Sequence, residues 1–295
     1  MPKPAPKAYP LNQSPLFRIR GQGQLEKILG LTWDHLIALS SAQSYKVWES
    51  SGGGKPRQIQ QPVGRLLDIH QRLARLLRRI ELPDYVYSRK GRSYVDNARQ
   101  HSGKVPLIKT DIHRFYPSIS RSMVYRMFRY RFECAADVAH CIADLCCFQR
   151  LHVPTGSPLS GDLAFFAAKP MFDALATASS LAGCRMTSYV DDVTVSGQGA
   201  TKRLLGSLRQ IVHAHGLKTK QRKSVTYPAN AAKEVTGVIL AGRELRLPNK
   251  QHHKLWKTRH ELAAAAPSEK GHLLKVLRGR EQQAAQIIPM ARVAP

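Results

Sequence analysis

Two carboxylates stand side by side in Tyr189-Val190-Asp191-Asp192, inside the run TSYVDDVTVSG. The surrounding Val190, Val193, Thr194 and Val195 are β-branched and suit a pleated, half-buried strand. Adjacent like charges repel, and burying them without a partner is costly. A divalent cation would offset that cost, because hard cations take carboxylate oxygens as ligands. A third aspartate, Asp111, ends the strand-like run VPLIKTD. Three converging carboxylates could hold two Mg²⁺ ions about 3.5–4 Å apart, one activating an attacking hydroxyl and the other holding a triphosphate. Polymerases, nucleases and phosphatases share that arrangement, so the aspartates alone do not choose among them.

The elements around these residues must bring them together. In a continuous strand Asp191 and Asp192 would point to opposite faces. They can act together only if the chain turns there, which predicts a hairpin tip. Upstream, LEKILGLTWDHLIAL predicts short helices, and YKVWESSGGGKPRQIQQP predicts a β-hairpin with glycines at its tip. A helix follows over Arg65–Ile80, with Leu66, Ile69, Leu73, Leu76, Leu77 and Ile80 on one face. Arg65, Arg72, Arg75 and Arg79 form a basic stripe on another. Helices are expected to about Phe148, and then a Gly/Pro-punctuated loop, VPTGSPLSGD, feeds an apolar helix. After the hairpin come an amphipathic helix, TKRLLGSLRQIVHAHGL, and one strand, KEVTGVIL. Strand, helix, hairpin, helix and strand in that order describe an α+β fold, an antiparallel sheet backed by helices.

Composition narrows the partner. The 295 residues carry 46 Lys and Arg against 20 Asp and Glu, a formal charge of +26. An excess of that size, spread along the chain, points to a polyanion bound over an extended path, and nucleic acid is the default. No apolar run reaches the roughly 20 residues of a membrane span. The lead-in MPKPAPKAYPLNQSP lacks an apolar signal core, so the expected location is cytoplasmic. The five cysteines have no paired CxxC spacing, which favours core thiols over disulfides or zinc. The histidines likewise lack a metal-ligand spacing.

The order of the motifs resembles that of reverse transcriptases. Tyr189-Val190-Asp191-Asp192 matches the family's Tyr-x-Asp-Asp box, and KTDIHRFYPSI its first catalytic box. PTGSPLSGDLAFF resembles the helix-loop box, GLKTKQRKS the lysine-bearing segment after the catalytic hairpin, and GGKPRQIQQP the fingers hairpin. The resemblance covers roughly residues 45–250. It implies a right-hand polymerase: fingers with N-terminal helices over 1–104, a palm over 105–244 with an inserted helical fingers segment, and a helical thumb over 245–295. It implies metal binding by Asp111, Asp191 and Asp192, with the Ile112 carbonyl contributing. Lys55 and Arg57 would contact the triphosphate of a dNTP, where a forked guanidinium suits phosphate oxygens. SGGGKPR is not a Walker loop, since Pro56 stands where Ser or Thr is required. Tyr116 would exclude a ribose 2′-hydroxyl, and Thr155 and Gly156 would line the nucleotide pocket. Many relatives carry Gln where Thr155 stands, and a hydroxyl lacks the reach of that amide. Lys223 is a candidate to protonate pyrophosphate, or one of a phosphate-binding cluster with Lys218 and Lys220.

Two further stretches resemble markers of bacterial retron reverse transcriptases: Asn97-Ala98-x-x-His101 before the first aspartate, and Val235-Thr236-Gly237 after the hairpin. These six residues are expected to contact RNA. So are Lys254, Lys257 and Arg259 of the thumb, where Leu255 and Trp256 are expected to face inward. The sequence ends at Pro295, which leads to the expectation of a compact enzyme without an RNase H, maturase or endonuclease extension. The resemblance implies a structured non-coding RNA partner copied into DNA from one of its own 2′-hydroxyls. The product would be a branched RNA–DNA hybrid, with a role in antiphage defence beside a separate effector protein. The alternatives are another compact bacterial reverse transcriptase, diversity-generating or intron-derived, and a non-catalytic RNA-binding protein on a polymerase scaffold.

Overall fold

The computed structural model describes residues 8–42, 44–50 and 56–288. Helices α1 (Gln22–Leu29) and α2 (Trp33–Ala42) precede strands β1 (Tyr45–Ser50) and β2 (Arg57–Pro62). Helices α3 (Gly64–Leu77) and α4 (Tyr94–Arg99) lead to strand β3 (Leu107–Asp111). Helices α5 (Phe115–Ser118), α6 (Arg121–Arg126), α7 (Ala136–Cys146) and α8 (Ser160–Leu181) follow. Then come β4 (Arg185–Tyr189), β5 (Asp192–Ser196), α9 (Lys202–Ala214) and β6 (Val225–Tyr227). Strands β7 (Lys233–Val235), β8 (Val238–Ala241) and β9 (Glu244–Arg246) and helices α10 (Asn249–Ala264) and α11 (Pro267–Ile287) end the described chain. All paired strands are antiparallel, so the fold is α+β. No described helix is long and apolar enough to cross a membrane.

The described residues form two compact units, each discontinuous in sequence. One takes residues from Met1–Pro83, His113–Asp173 and Ala214–Leu217. It contains the β1–β2 hairpin, whose glycine tip lies outside the described residues. It also contains α3, which buries Leu66, Ile69, Leu73 and Leu77 and leaves Arg65, Arg72 and Arg75 exposed, as the helical period requires. Arg79 departs from the expected stripe, because its guanidinium lies over the Tyr9 ring at 4.8 Å. His70 lies in the interior, within 2.7 Å of the Ser157 hydroxyl and 2.8 Å of the Leu145 carbonyl. Cys134, Cys141, Cys146 and Cys147 are buried thiols outside any disulfide, and burial raises their pKa values.

The other unit takes residues from Asp84–Ile112, Ala174–His213 and Lys218–Pro295. Its four-stranded sheet has the order β4-β5-β3-β6, and a three-stranded sheet has the order β7-β8-β9. The single strand expected at KEVTGVIL is instead the β7–β8 hairpin. Thr236 and Gly237 join its strands with φ of 46° and 80°, and two successive left-handed residues cannot continue a strand. Val95 and Ala98 of α4 share an apolar cluster with Leu107, Val235, Val238, Leu240, Leu247 and Ile287. Helix α4 starts at a capping box in which Ser93 and Asp96 satisfy each other's backbone amides. Lys233 is buried and spends its ammonium on the carbonyls of Gly103 and Ala229, at 2.9 and 3.1 Å.

Candidate active site

The doubled aspartate sits where the chain reverses. Strands β4 and β5 pair from Arg185 opposite Ser196 to Tyr189 opposite Asp192, and Val190 and Asp191 make the turn. Val190 adopts φ 58°, a conformation β-branched residues avoid. Strand β3 pairs along the other side of β5 and sets Asp111 directly opposite Asp192. Paired residues share a face, and side chains directly across an antiparallel pair lie about 4.5–5.5 Å apart at Cβ. The buried Ile112 donates its amide to the Asp191 carbonyl at 3.0 Å, fastening the turn to the end of β3. The three aspartates and Ile112 are thus brought to one end of one sheet.

That end is crowded with negative charge and short of water. Asp111 is 3% exposed. Burial pushes the Asp191 carboxyl above its ordinary range and the charge of Asp111 adds to the rise, while Lys223 works against it. Burial likewise raises Asp192, opposed by Lys109 and Lys223. Two lysines supply the counter-charge. The Lys223 ammonium bonds to an Asp111 carboxylate oxygen, and Lys109 lies 3.6 Å from an Asp192 oxygen. Burial disfavours the charge on Lys223, but its bond to Asp111 and the three carboxylates outweigh this and raise its pKa. Lys109 could have been found in the sequence: it precedes Asp111 by two residues and so shares its face of β3.

Among the described residues no three or more His, Cys, Asp or Glu side chains form a ready metal-ligand group. The residues present nevertheless fit divalent cations. They offer only hard oxygen donors, and Asp192 Oδ1 is buried without a hydrogen-bond partner, an acceptor that a cation would satisfy.

The expected nucleotide-pocket residues lie in the first unit, apart from Lys223 and from Lys55, which is outside the described residues. Arg57 opens β2 and is exposed. The Thr155 hydroxyl donates to the Gln58 carbonyl at 2.7 Å, and the Gly156 amide donates to the Gln60 carbonyl at 3.1 Å. A side chain at 156 would meet Ile59 Cγ2 at 2.8 Å and the Gln60 carbonyl oxygen at 2.9 Å, so the loop lies against β2 only because the residue is glycine. Thr155 and Gly156 therefore hold the loop to the strand that carries Arg57. Tyr116 is half-buried in α5, its ring 5.8 Å from that of Phe115.

The six residues expected to contact RNA near α4 and the β7–β8 turn come together, largely in the interior. Asn97, Ala98, His101 and Val235 are each at most 1% exposed, while Thr236 and Gly237 are half-buried. The Thr236 hydroxyl donates to the Tyr94 carbonyl at 2.8 Å, and the Asn97 amide lies 3.5 Å from that hydroxyl. His101 reaches the hydroxyls of Thr187 and Ser196, both at 2.7 Å. In α10, Lys254, Lys257 and Arg259 are exposed. Lys257 pairs with Glu261 at 3.7 Å and Arg259 with Glu281 at 3.0 Å. Leu255 packs inward as expected, but Trp256 does not: it is 58% exposed. The buried residue of α10 is Thr258; at about 100° per residue Leu255 lies about 60° round the helix from it and Trp256 about 160°, on the opposite side. Trp256 instead stacks on His253 at 5.9 Å and meets His260 edge-on at 4.1 Å. Spacings of three and four residues made that aromatic row readable.

No family model matches the chain. Over 181 residues it is 30% identical to the Retron Se72 reverse transcriptase of Salmonella heidelberg (strain 579083-10), covering 58% of this chain and 47% of that relative. Over 186 residues it is 23% identical to the Retron Ec86 reverse transcriptase of Escherichia coli, covering 62% and 58%. The chain spans about half the length of these curated relatives, both of which are named retron reverse transcriptases.

Proposed function

We propose that this protein is an RNA-directed DNA polymerase of the retron type. The observation that carries the reading is the register that sets Asp111 opposite Asp192 with Asp191 at the turn, in a chain similar to two retron reverse transcriptases. On this reading Asp111, Asp191 and Asp192 hold two Mg²⁺ ions, with the Ile112 carbonyl as a further oxygen donor. Bound there, the ions would acidify a primer hydroxyl and neutralise a triphosphate and its leaving group. On the same reading Lys223, whose ammonium bonds to Asp111, gives a proton to departing pyrophosphate or joins Lys218 and Lys220 in binding its phosphates. Arg57 and Lys55 grip the dNTP triphosphate, Tyr116 excludes the 2′-hydroxyl of a competing ribonucleotide, and Thr155 and Gly156 keep the pocket loop against β2.

The finer parts of the reading rest on the same resemblance. Fingers, palm and thumb divide the chain at residues 104 and 244. The template is a structured non-coding RNA, copied from a primer that is one of its own 2′-hydroxyls, and the product is a branched RNA–DNA hybrid. The work takes place in the cytoplasm, in antiphage defence beside a separate effector protein. Exposed Lys254, Lys257 and Arg259 and the formal charge of +26 support binding to a phosphate backbone.

Primer extension tests the reading. The protein should incorporate dNTPs on a primed RNA template with Mg²⁺. Asp191→Asn with Asp192→Asn should lower the rate by at least about 10³-fold, the several kcal/mol attributed to metal charge stabilisation, while RNA binding persists. No incorporation by the wild type on any RNA, including the transcript beside its own gene, would sink the enzyme reading in favour of an RNA-binding role.

A further inference from the structure

We infer that His101 is a positioning residue for the catalytic hairpin, an inference that rests on the polymerase reading above. Its imidazole is fully buried, and its two nitrogens lie 2.7 Å from the Ser196 hydroxyl and 2.7 Å from the Thr187 hydroxyl. Thr187 belongs to β4 and Ser196 to β5, so one ring ties the two strands that carry the aspartates. Period two and the register put Thr187, Tyr189, Asp192 and Ser196 on the same face of the hairpin. Asp111 joins them through its pairing with Asp192. His101 thus closes this polar face behind the carboxylates, where it can hold the hairpin without touching substrate.

The hairpin has need of such a tie. Strand β4 stands at one end of the sheet order, and its five residues end in a turn with a strained valine. Outside the β4–β5 ladder, its backbone support includes the bonds between Ser188 and Tyr85 and Tyr87, at 2.7 and 2.9 Å. His101 is itself well anchored. It follows α4, which is capped at Ser93, packed through Val95 and Ala98, and linked through Asn97 to the Thr236 turn. A neutral imidazole carries one donor and one acceptor, and each hydroxyl can complement either, so both bonds can be satisfied together. Full burial also removes His101 from the surface that RNA could touch.

The test is steady-state and single-turnover kinetics on a generic primed RNA template, with rates expressed per active site. His101→Phe keeps a ring but breaks both bonds. It should lower kcat about 10–100-fold, the scale of loss when a reacting group is misplaced by about 1 Å, and change the dNTP KM by less than about threefold. RNA affinity should be unchanged. His101→Gln, which still donates and accepts, should recover to within about fivefold of the wild type. Thr187→Val removes one tie at constant shape, should lose an intermediate amount, and decides the matter by the same readouts if His101→Phe does not fold. Unchanged turnover per active site in these variants would reduce His101 to ordinary packing. A loss of RNA affinity with normal turnover would make it an RNA contact. Either overturns the inference and leaves the polymerase reading standing, whereas an inactive wild type removes both.

Discussion

Val190 is a β-branched residue held at φ 58°, and the cost of that conformation buys the geometry around it. Without a turn, adjacent aspartates would diverge; with it, Asp192 enters β5 opposite Asp111 while Asp191 stays at the tip. A left-handed conformation costs an ordinary L-residue about 1–2 kcal/mol, and glycine adopts it freely. Val190→Gly should therefore leave stability unchanged or raise it by up to about 1 kcal/mol, read from the urea midpoint. Val193→Gly, three residues on and fully buried, should lose about 3 kcal/mol or more. Similar losses at both positions would show that Val190 is not strained. The two aspartates made this turn legible, because period two allowed no other way for them to act together. Nothing in the sequence marked Lys109 as their partner except its spacing from Asp111, and spacing does not reveal which side chains meet across strands.

Among the elements, α10 shows where reading by composition stops. Its basic residues were legible as an exposed face, but Trp256 was expected inside on hydrophobicity alone, and helical rotation overrode that. An exposed tryptophan flanked by two histidines on a basic helix offers a stacking surface to an unpaired base. Base stacking on an aromatic side chain is worth about 1–3 kcal/mol. If the proposed RNA partner is right, Trp256→Ala should weaken binding to the transcript beside the gene roughly 5- to 100-fold by gel shift and leave the melting temperature within about 1 °C. Unchanged affinity would remove Trp256 from the interface. The β7–β8 hairpin was illegible for a different reason. The left-handed turn residue is a threonine rather than Asn or Asp, tolerated because its hydroxyl bonds to the Tyr94 carbonyl, a long-range contact that local sequence does not encode.

At the scale of the whole molecule, each unit keeps one histidine neutral in its interior. Burial lowers His70 to about 4, against the opposing Leu145 hydrogen bond, and burial, with the charge of Arg185, lowers His101 to about 3. The unfolded chain takes up these protons near the ordinary value of 6.5 and the folded chain does not. Stability from each is complete above 6.5 and is lost as pH falls toward the folded value, by about 2 kcal/mol each at pH 5. The raised carboxyls of Asp191 and Asp192 act in the opposite sense, so the comparison is with a variant. Between pH 7.5 and 5, His101→Gln should lose about 2 kcal/mol less than the wild type in urea denaturation. Equal losses would mean that His101 is protonated in the folded state. The antiparallel α+β character of the fold was legible from the order of strands and helices. Its division into two interleaved units was not, because contacts distant in sequence decide it.

The pairing of β3 with β5 and β6 sets a timetable for biosynthesis. When β3 leaves the ribosome, both of its sheet neighbours are still untranslated, and everything from Ile112 to Asp191 must be made before the first can arrive. The nascent chain carries Leu107 and Ile108, destined for full burial, with open edges on both sides through that interval. Shielding by a chaperone, or a pause in translation after β6, would matter more to the yield of this protein than to one whose strands pair with the next in line.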